Sequence, residues 1–317
     1  MSVIGSIAVA IFKMVIPFMA SEGVLSENQE PPKGLTPVEP PSGRFLAQLF
    51  LVPGLIVGVA VLVLLGFTWL VGGDADPQRI LNRLEDGNAD VRWRAANDFM
   101  QRLKKDPHLA ADPRVALRLT KLLRSALEDL ERFEKAFAAG ADDMRDRKTL
   151  QEKRNDVEFL SPCLGHMVIP TGAPILCEMA AKTKGLDPKT LSSLRRKAVW
   201  SLANLGESLK RYDQLSAETT GRVLAALQET VLEQKAEQKE WAQLTLDYLQ
   251  GKQRKLGVIQ TLADCAKADD PFLRELVAMA FSFWDGDAEE TALAEKTLVV
   301  LARDDGHGVR IEIGEND

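Results

Sequence analysis

Cys163, His166 and Cys177 fall in a C-x2-H-x10-C pattern, the side-chain types that hold a soft metal such as zinc. A tetrahedral site needs a fourth ligand, and none stands nearby in the sequence. Both cysteines also sit where a helical repeat buries small residues, so burial is the expectation for them. The other histidines are His108 and His307, and none of the three belongs to an H-E-x-x-H pair. His307 lies between glycines in "DDGHGVR", a turn that can hold an anion, but a lone glycine pair does not specify one. No G-x-x-x-x-G-K-[ST], G-x-S-x-G or G-x-G-x-x-G occurs. Trp200, Trp241 and Trp284 fall on helical faces, where tryptophan is expected to fill a core. The expectation is no catalytic residue, no cofactor, no metal, and no enzymatic activity.

The arginines are more regular. Arg92, Arg195 and Arg274 each follow a residue that opens a helix, in "VRWRAANDF" from Val91, "LRRKAVWSL" from Leu194 and "LRELVAMAF" from Leu273. Each stretch puts small or apolar residues at its fifth and sixth positions and a large apolar residue at its ninth. That spacing places them on one helical stripe. "DVEFLSPCLGHMVIP" from Asp156 fits the frame more loosely, its "CLG" falling on "SLA" of the Leu194 copy, and "AEQKEWAQL" from Ala236 is a further candidate. Asp270 and Pro271 are suited to the N-cap and first turn of the Leu273 helix, with Asp90 in the corresponding place before "VRWRAANDF". Three of the four spacings between copies fall near forty residues; the one between Val91 and Asp156 is about 25 longer.

A forty-residue period of helix pairs resembles HEAT-like repeats, in which "x-x-V-R-x-x-A-x-x-A-L-x-x-L-G" precedes a turn and a second helix. The matching residues are "LRRKAVWSLANLG" at 194–206 and "CLGHMVIPTGAPILCEMA" at 163–180, where Pro170 and Pro174 mark the corner. The resemblance covers about residues 77 to 303. As a whole the chain resembles bacterial membrane-anchored HEAT-repeat proteins, a class without a single defined activity. It implies an all-α, HEAT-like α-solenoid of about four to five helix-pair repeats at 74–303. In that family the recurrent arginines pair with acidic or carbonyl groups of the next repeat, as a structural ladder. The extra residues between the first two copies are expected near 128–159, a stretch charged on all sides with Gly140 inside it. This segment reads as a long exposed helix or a helical protrusion, and as one possible partner contact. Residues 304–317 leave the helical pattern and are expected to form a polar C-terminal cap, with "VRIEI" alternating like a short strand.

Upstream, residues 46–72 carry no charged side chain, and roughly 20 such residues suffice to cross a bilayer as a helix. With Arg44, Asp74 and Asp76 at its ends and Trp69 at a boundary, this run predicts a single transmembrane helix. Residues 1–20 are apolar apart from Lys13. They read as a marginal membrane helix or as an extension of the reading frame, with the start at Met1, Met14 or Met19. Residues 21–45 are rich in Pro and Glu and predict a disordered tail. Basic residues are denser after the span than before it, which predicts an inner-membrane, single-pass protein with the repeats facing the cytoplasm.

The chain carries a formal net charge of −6, and most of it falls beyond Asp74. That balance offers no electrostatic footprint for nucleic acid, and no nucleic-acid partner is expected. Three cysteines in 317 residues make no disulfide framework. The functional expectation is a non-catalytic, membrane-tethered scaffold or adaptor that binds a protein partner through its repeat surface. The alternatives are an enzyme of HEAT-like lyase or glycosylase type and a purely structural envelope component.

Overall fold

A computed structural model of the chain describes residues 49, 51, 53–64, 77–139, 144–233, 236–252 and 255–303. The expectations for 1–20, 21–45 and 304–317 lie outside these residues. The chain divides into two units, Met1–Gly73 and Asp74–Asp317.

The expected transmembrane helix at 46–72 is not supported. Among the described residues no helix is long and apolar enough to cross a membrane. In the first unit the described residues of this run, 49, 51 and 53–64, are helical. Freedom from charge makes a segment apolar, but spanning also requires an unbroken helix of sufficient length. The single-pass inner-membrane placement and its orientation rested on that span and fall with it.

Every regular element among the described residues of the second unit is a helix, in agreement with the all-α expectation. Its helices are α1 (Pro77–Leu84), α2 (Ala89–Lys105), the short α3 (Pro107–Ala110), α4 (Pro113–Ala138) and α5 (Met144–Gly165). A 3-10 turn, Pro170–Gly172, leads into α6 (Ala173–Ala181). Then come α7 (Pro188–Leu209), α8 (Ala217–Glu233), α9 (Ala236–Leu249), α10 (Val258–Cys265), α11 (Pro271–Phe281) and α12 (Ala288–Leu301). Asp-Pro dipeptides open four of them. Asp106, Asp112, Asp187 and Asp270 each cap a backbone N–H of the first turn, and the proline that follows sits where no intrahelical donor is needed. Asp287 and Glu290 form a capping box at α12. At α2 the cap is Asn88, which accepts from the Asp90 N–H at 2.9 Å, so the cap lies two residues before the expected Asp90.

The helices pack in two rows. One row is α2, α5, α7 and α11, each against the next; the other runs through α1, α4, α6, α10 and α12. Successive pairs contribute one helix to each row, an arrangement that fits an α-solenoid. The four helices of the first row are those that carry the aligned stretches. In all four the fifth, sixth and ninth positions are buried: Ala95, Ala96 and Phe99; Leu160, Ser161 and Leu164; Ala198, Val199 and Leu202; Val277, Ala278 and Phe281. The copy from Ala236 does not belong to this row. On α9 the fifth position is Glu240, which is exposed, and the buried set is Trp241, Ala242, Thr245 and Leu246. α8 and α9 form a hairpin that packs on α4 and the 3-10 turn, outside the two rows, and α11 therefore stacks directly on α7. Thr245 on α9 donates to Thr171 in that turn at 3.0 Å, both side chains fully buried.

The aligned "CLG" and "SLA" meet in space. A Cβ on Gly165 would lie 2.8 Å from the Ser201 carbonyl oxygen, so the close crossing of α5 and α7 requires glycine there. The 128–159 segment is the distal part of α4 and the first part of α5, which pack on each other. Leu130, Leu150 and Val157 are buried between them. Two pairs cross the hairpin, Lys153 on Asp129 and Arg154 on Glu134, both at 2.9 Å, and Glu131 pairs with Lys182 at the end of α6.

The arginine ladder is partly present. Arg92 grips the Asp156 carboxylate with Nε and Nη2 at 2.8 and 3.0 Å, joining α2 to α5, and also donates to the carbonyls of Asp86 and Gly87. Arg195 donates to the Ala180 carbonyl of its own pair at 3.0 Å. Arg274 donates to the Ala268 carbonyl at 2.8 Å. The rung between α7 and α11 is made instead by Arg196, one residue later, on Asp270. Arg92 and Asp156 are only 17% and 14% exposed in their side chains. Asp156→Ala is therefore expected to cost about 2 kcal/mol, within the range for hydrogen bonds to charged groups. A fall in the chemical denaturation midpoint with unchanged slope would show it.

Candidate functional site

α7 buries Leu194, Ala198, Leu202 and Leu205. A different stripe, Lys189, Ser192, Ser193, Arg196, Lys197 and Trp200, lines a groove of about 540 Å³. The spacing is helical, so these six share one face. Phe272 and Leu276 of α11 form the opposite wall. Asp270, the N-cap of α11, ties the two walls together. It accepts from Arg196 Nε and Nη2 at 2.6 and 2.7 Å and from the Ser192 hydroxyl at 2.8 Å. Burial works to raise the Asp270 pKa, but the hydrogen bonds from Arg196, Ser192 and the Leu273 N–H together outweigh it and hold the carboxyl below its ordinary range.

Aromatic rings support the cations. The Arg196 guanidinium lies 5.3 Å from the centre of the Phe272 ring, and Lys197 Nζ lies 5.5 Å from Trp200. Phe272 is 49% exposed and Trp200 half-buried. Ser193 donates to Glu158 of α5 at 2.7 Å, which puts one carboxylate at the margin. Arg196 is neutralised by Asp270, whereas Lys189 and Lys197 have no ion-pair partner among the described residues. The groove is thus a locally basic, aromatic-walled strip on an acidic chain.

Other depressions carry at most one cation without an ion pair among the described residues, as the depression of about 630 Å³ beside Leu186 does with Lys135. The one of about 260 Å³ between the first two helix pairs is lined by Arg92, Asp129, Lys153 and Asp156, which satisfy one another. The one of about 640 Å³ beside α4 holds Arg114 and Arg118, matched by Glu229 and Glu85, and a single cation without an ion pair, Lys121.

Cys163, His166 and Cys177 do not converge. The Cys163 thiol points to the Ala96 carbonyl of α2 at 3.5 Å, and Cys177 turns to Thr261 and Cys265 of α10. Burial pushes both thiols up to about 12, which makes them poor ligands and nucleophiles. Cys265 is raised too, by burial, against the opposing influence of Arg195. No group of three or more metal-ligating side chains exists among the described residues. His108 lies beside Thr219, its Nδ1 3.3 Å from the hydroxyl, and His307 is outside the described residues. Trp241 is buried on α9 as expected, Trp284 is buried but lies in the segment after α11 and not on a helical face, and Trp200 belongs to the groove. Sequence reading missed Lys189, Ser192, Ser193, Lys197 and Phe272; their common helical stripe on α7, set beside Phe272, was the available signal.

No family model matches the chain, and no curated protein matches it. Two solved structures of engineered proteins are similar over 75% of this chain. One is 14% identical with a TM-score of 0.29 over 93% of its own length; the other is 15% identical with a TM-score of 0.30 over 95%. Likeness at that level carries no argument about fold or function.

Proposed function

We propose that the second unit is a non-catalytic, HEAT-like scaffold that binds a protein partner along the α2, α5, α7 and α11 row. The observation that supports it best is the α7–α11 groove, where unpaired lysines and half-exposed aromatic rings lie on adjacent repeats. Aromatic and cationic side chains of this kind serve as contact anchors. The 128–159 segment is the weaker candidate, because some of its charges pair across the hairpin and Leu130, Leu150 and Val157 belong to the core. It cannot be excised as a loop, so its role is best tested by surface substitution.

In-cell photo-crosslinking separates the two surfaces. A photoreactive residue in place of Ser193 in the groove is expected to give a discrete protein adduct. One in place of Lys148, exposed on α5, is expected to give none. Absence of protein adducts at both positions would overturn the scaffold reading.

A further inference from the structure

The partner's chemistry can be read from the groove itself. We infer that it takes a short acidic segment carrying one apolar side chain, laid along the stripe from Lys189 to Trp200. This rests on the scaffold reading and deepens it.

Three cations line the strip, and the carboxylates beside them are already engaged: Asp270 by Arg196 and Ser192, and Glu158 by Ser193. The carboxylates therefore cancel part of the positive charge but leave Lys189, at the start of the α7 stripe, and Lys197, about two turns further along, without an ion-pair partner among the described residues. From residue 189 to 197 the helix rises about 12 Å, a length that about four extended residues span. Two acidic side chains separated by a few residues would meet both lysines at once. Beside Lys197, the side chains of Trp200, Phe272 and Leu276 offer an apolar wall for a single anchoring side chain. A basic or neutral segment would leave the lysines unpaired, and a purely acidic one would leave the rings uncovered. Discrimination therefore comes from the two features together.

The test uses the full chain and three fluorescent probes in anisotropy titrations. These are an octapeptide of aspartate and glutamate with one central leucine, the same peptide with lysine at every acidic position, and a single-stranded oligonucleotide of similar length. The acidic peptide is expected to bind with an affinity that falls as salt is raised, and the lysine peptide is expected not to bind. A Lys189→Glu/Lys197→Glu double variant is expected to weaken the acidic peptide by about tenfold or more, and the milder Lys189→Gln/Lys197→Gln pair by a smaller factor in the same direction. The second pair guards against misfolding of the first, and circular dichroism of both is expected to match the parent. Equal binding of acidic and basic peptides, or acidic binding unchanged in both double variants, would overturn the inference. So would an oligonucleotide that binds more tightly than the acidic peptide and is lost in the same variants, because the groove would then serve phosphate backbones. If the acidic peptide fails while the Ser193 crosslinker still captures a protein, this inference falls and the scaffold reading stands.

Discussion

Gly206→Ala is expected to destabilise the protein by about 2–4 kcal/mol, the sum of overpacking and an orphaned buried donor set against a gain in helix propensity. Gly206 lies on α7 where Trp284, in the segment after α11, closes over it. An added Cβ would fall 2.7 Å from the indole Nε1, 2.9 Å from Cδ1 and 3.0 Å from the Phe283 carbonyl oxygen. The ring cannot simply withdraw, because its Nε1–H donates to the Leu202 carbonyl at 2.8 Å inside the core. Moving the indole breaks that bond; holding it strains two backbones. Gly221→Ala is the matched control. That glycine lies on α8 with nothing within 4 Å of an added Cβ, so alanine there is expected to stabilise by about 0.5–1 kcal/mol. Urea unfolding of the two variants measures both. Equal and opposite small effects would mean that the α7–Trp284 contact is looser than its geometry implies.

The row of helices was legible in the sequence because its core positions repeat as residue types. Ala-Ala, Ala-Val and Val-Ala at the fifth and sixth places, with Phe, Leu or Phe at the ninth, are set by close helix crossing and recur wherever that crossing recurs. The Ala236 stretch shows where such matching fails. "AEQKEWAQL" puts Glu240 at the fifth position, and its buried set is shifted by one residue, since Trp241, Ala242 and Thr245 belong to a hairpin packed on α4 and the 3-10 turn instead of on a neighbour in the row. A one-residue shift on a helix turns the stripe by about 100°, and a degenerate pattern of small apolar residues does not resolve it. The same limitation applies to the 128–159 segment. Its charge density suggests a solvated arm, yet Leu130, Leu150 and Val157 occur at the spacing of a buried seam, and opposite charges on two packed helices cancel pair by pair.

The groove was less legible because its chemistry belongs to two elements far apart in sequence. Lys189, Arg196, Lys197 and Trp200 read alone as an ordinary polar face; Phe272 reads alone as a helix-start residue. Only the stacking of α11 on α7, with the α8–α9 hairpin set aside, puts Phe272 under Arg196 and makes one strip of both. The Asp-Pro starts are the reverse case. Each is a local signal with a local cause, and the one read at Asp270 applies unchanged at Asp106, Asp112 and Asp187. The transmembrane expectation failed for a different reason. It rested on hydropathy alone, and among the described residues no helix is both long and apolar enough to cross a membrane.

Acidification is expected to weaken the protein through His166 before its carboxylates matter. His166 closes the end of α5, is 6% exposed, and meets the edge of the Trp200 ring with centroids 6.2 Å apart. Its Nε2 is buried without a hydrogen-bond partner among the described residues. Burial first, then the positive charges of Lys104 and Arg211, push its pKa down from 6.5 to about 4. The folded state therefore resists a proton that the unfolded chain accepts. Above about pH 6.5 both states are neutral at this site and the full stability is present. Between about 6.5 and 4 only the unfolded state is protonated, and stability falls by on the order of 2–3 kcal/mol across that window before this contribution levels off. Asp187 and Asp270 have depressed values, so their losses come at lower pH and do not overlap with it. His166→Phe keeps a ring against Trp200 and removes both the titration and the orphaned nitrogen. It is expected to equal or exceed the parent in stability at neutral pH, and to flatten the loss between pH 6.5 and 4. Urea midpoints measured across that range for both proteins decide it: parallel pH profiles would show that the acid sensitivity arises from another group.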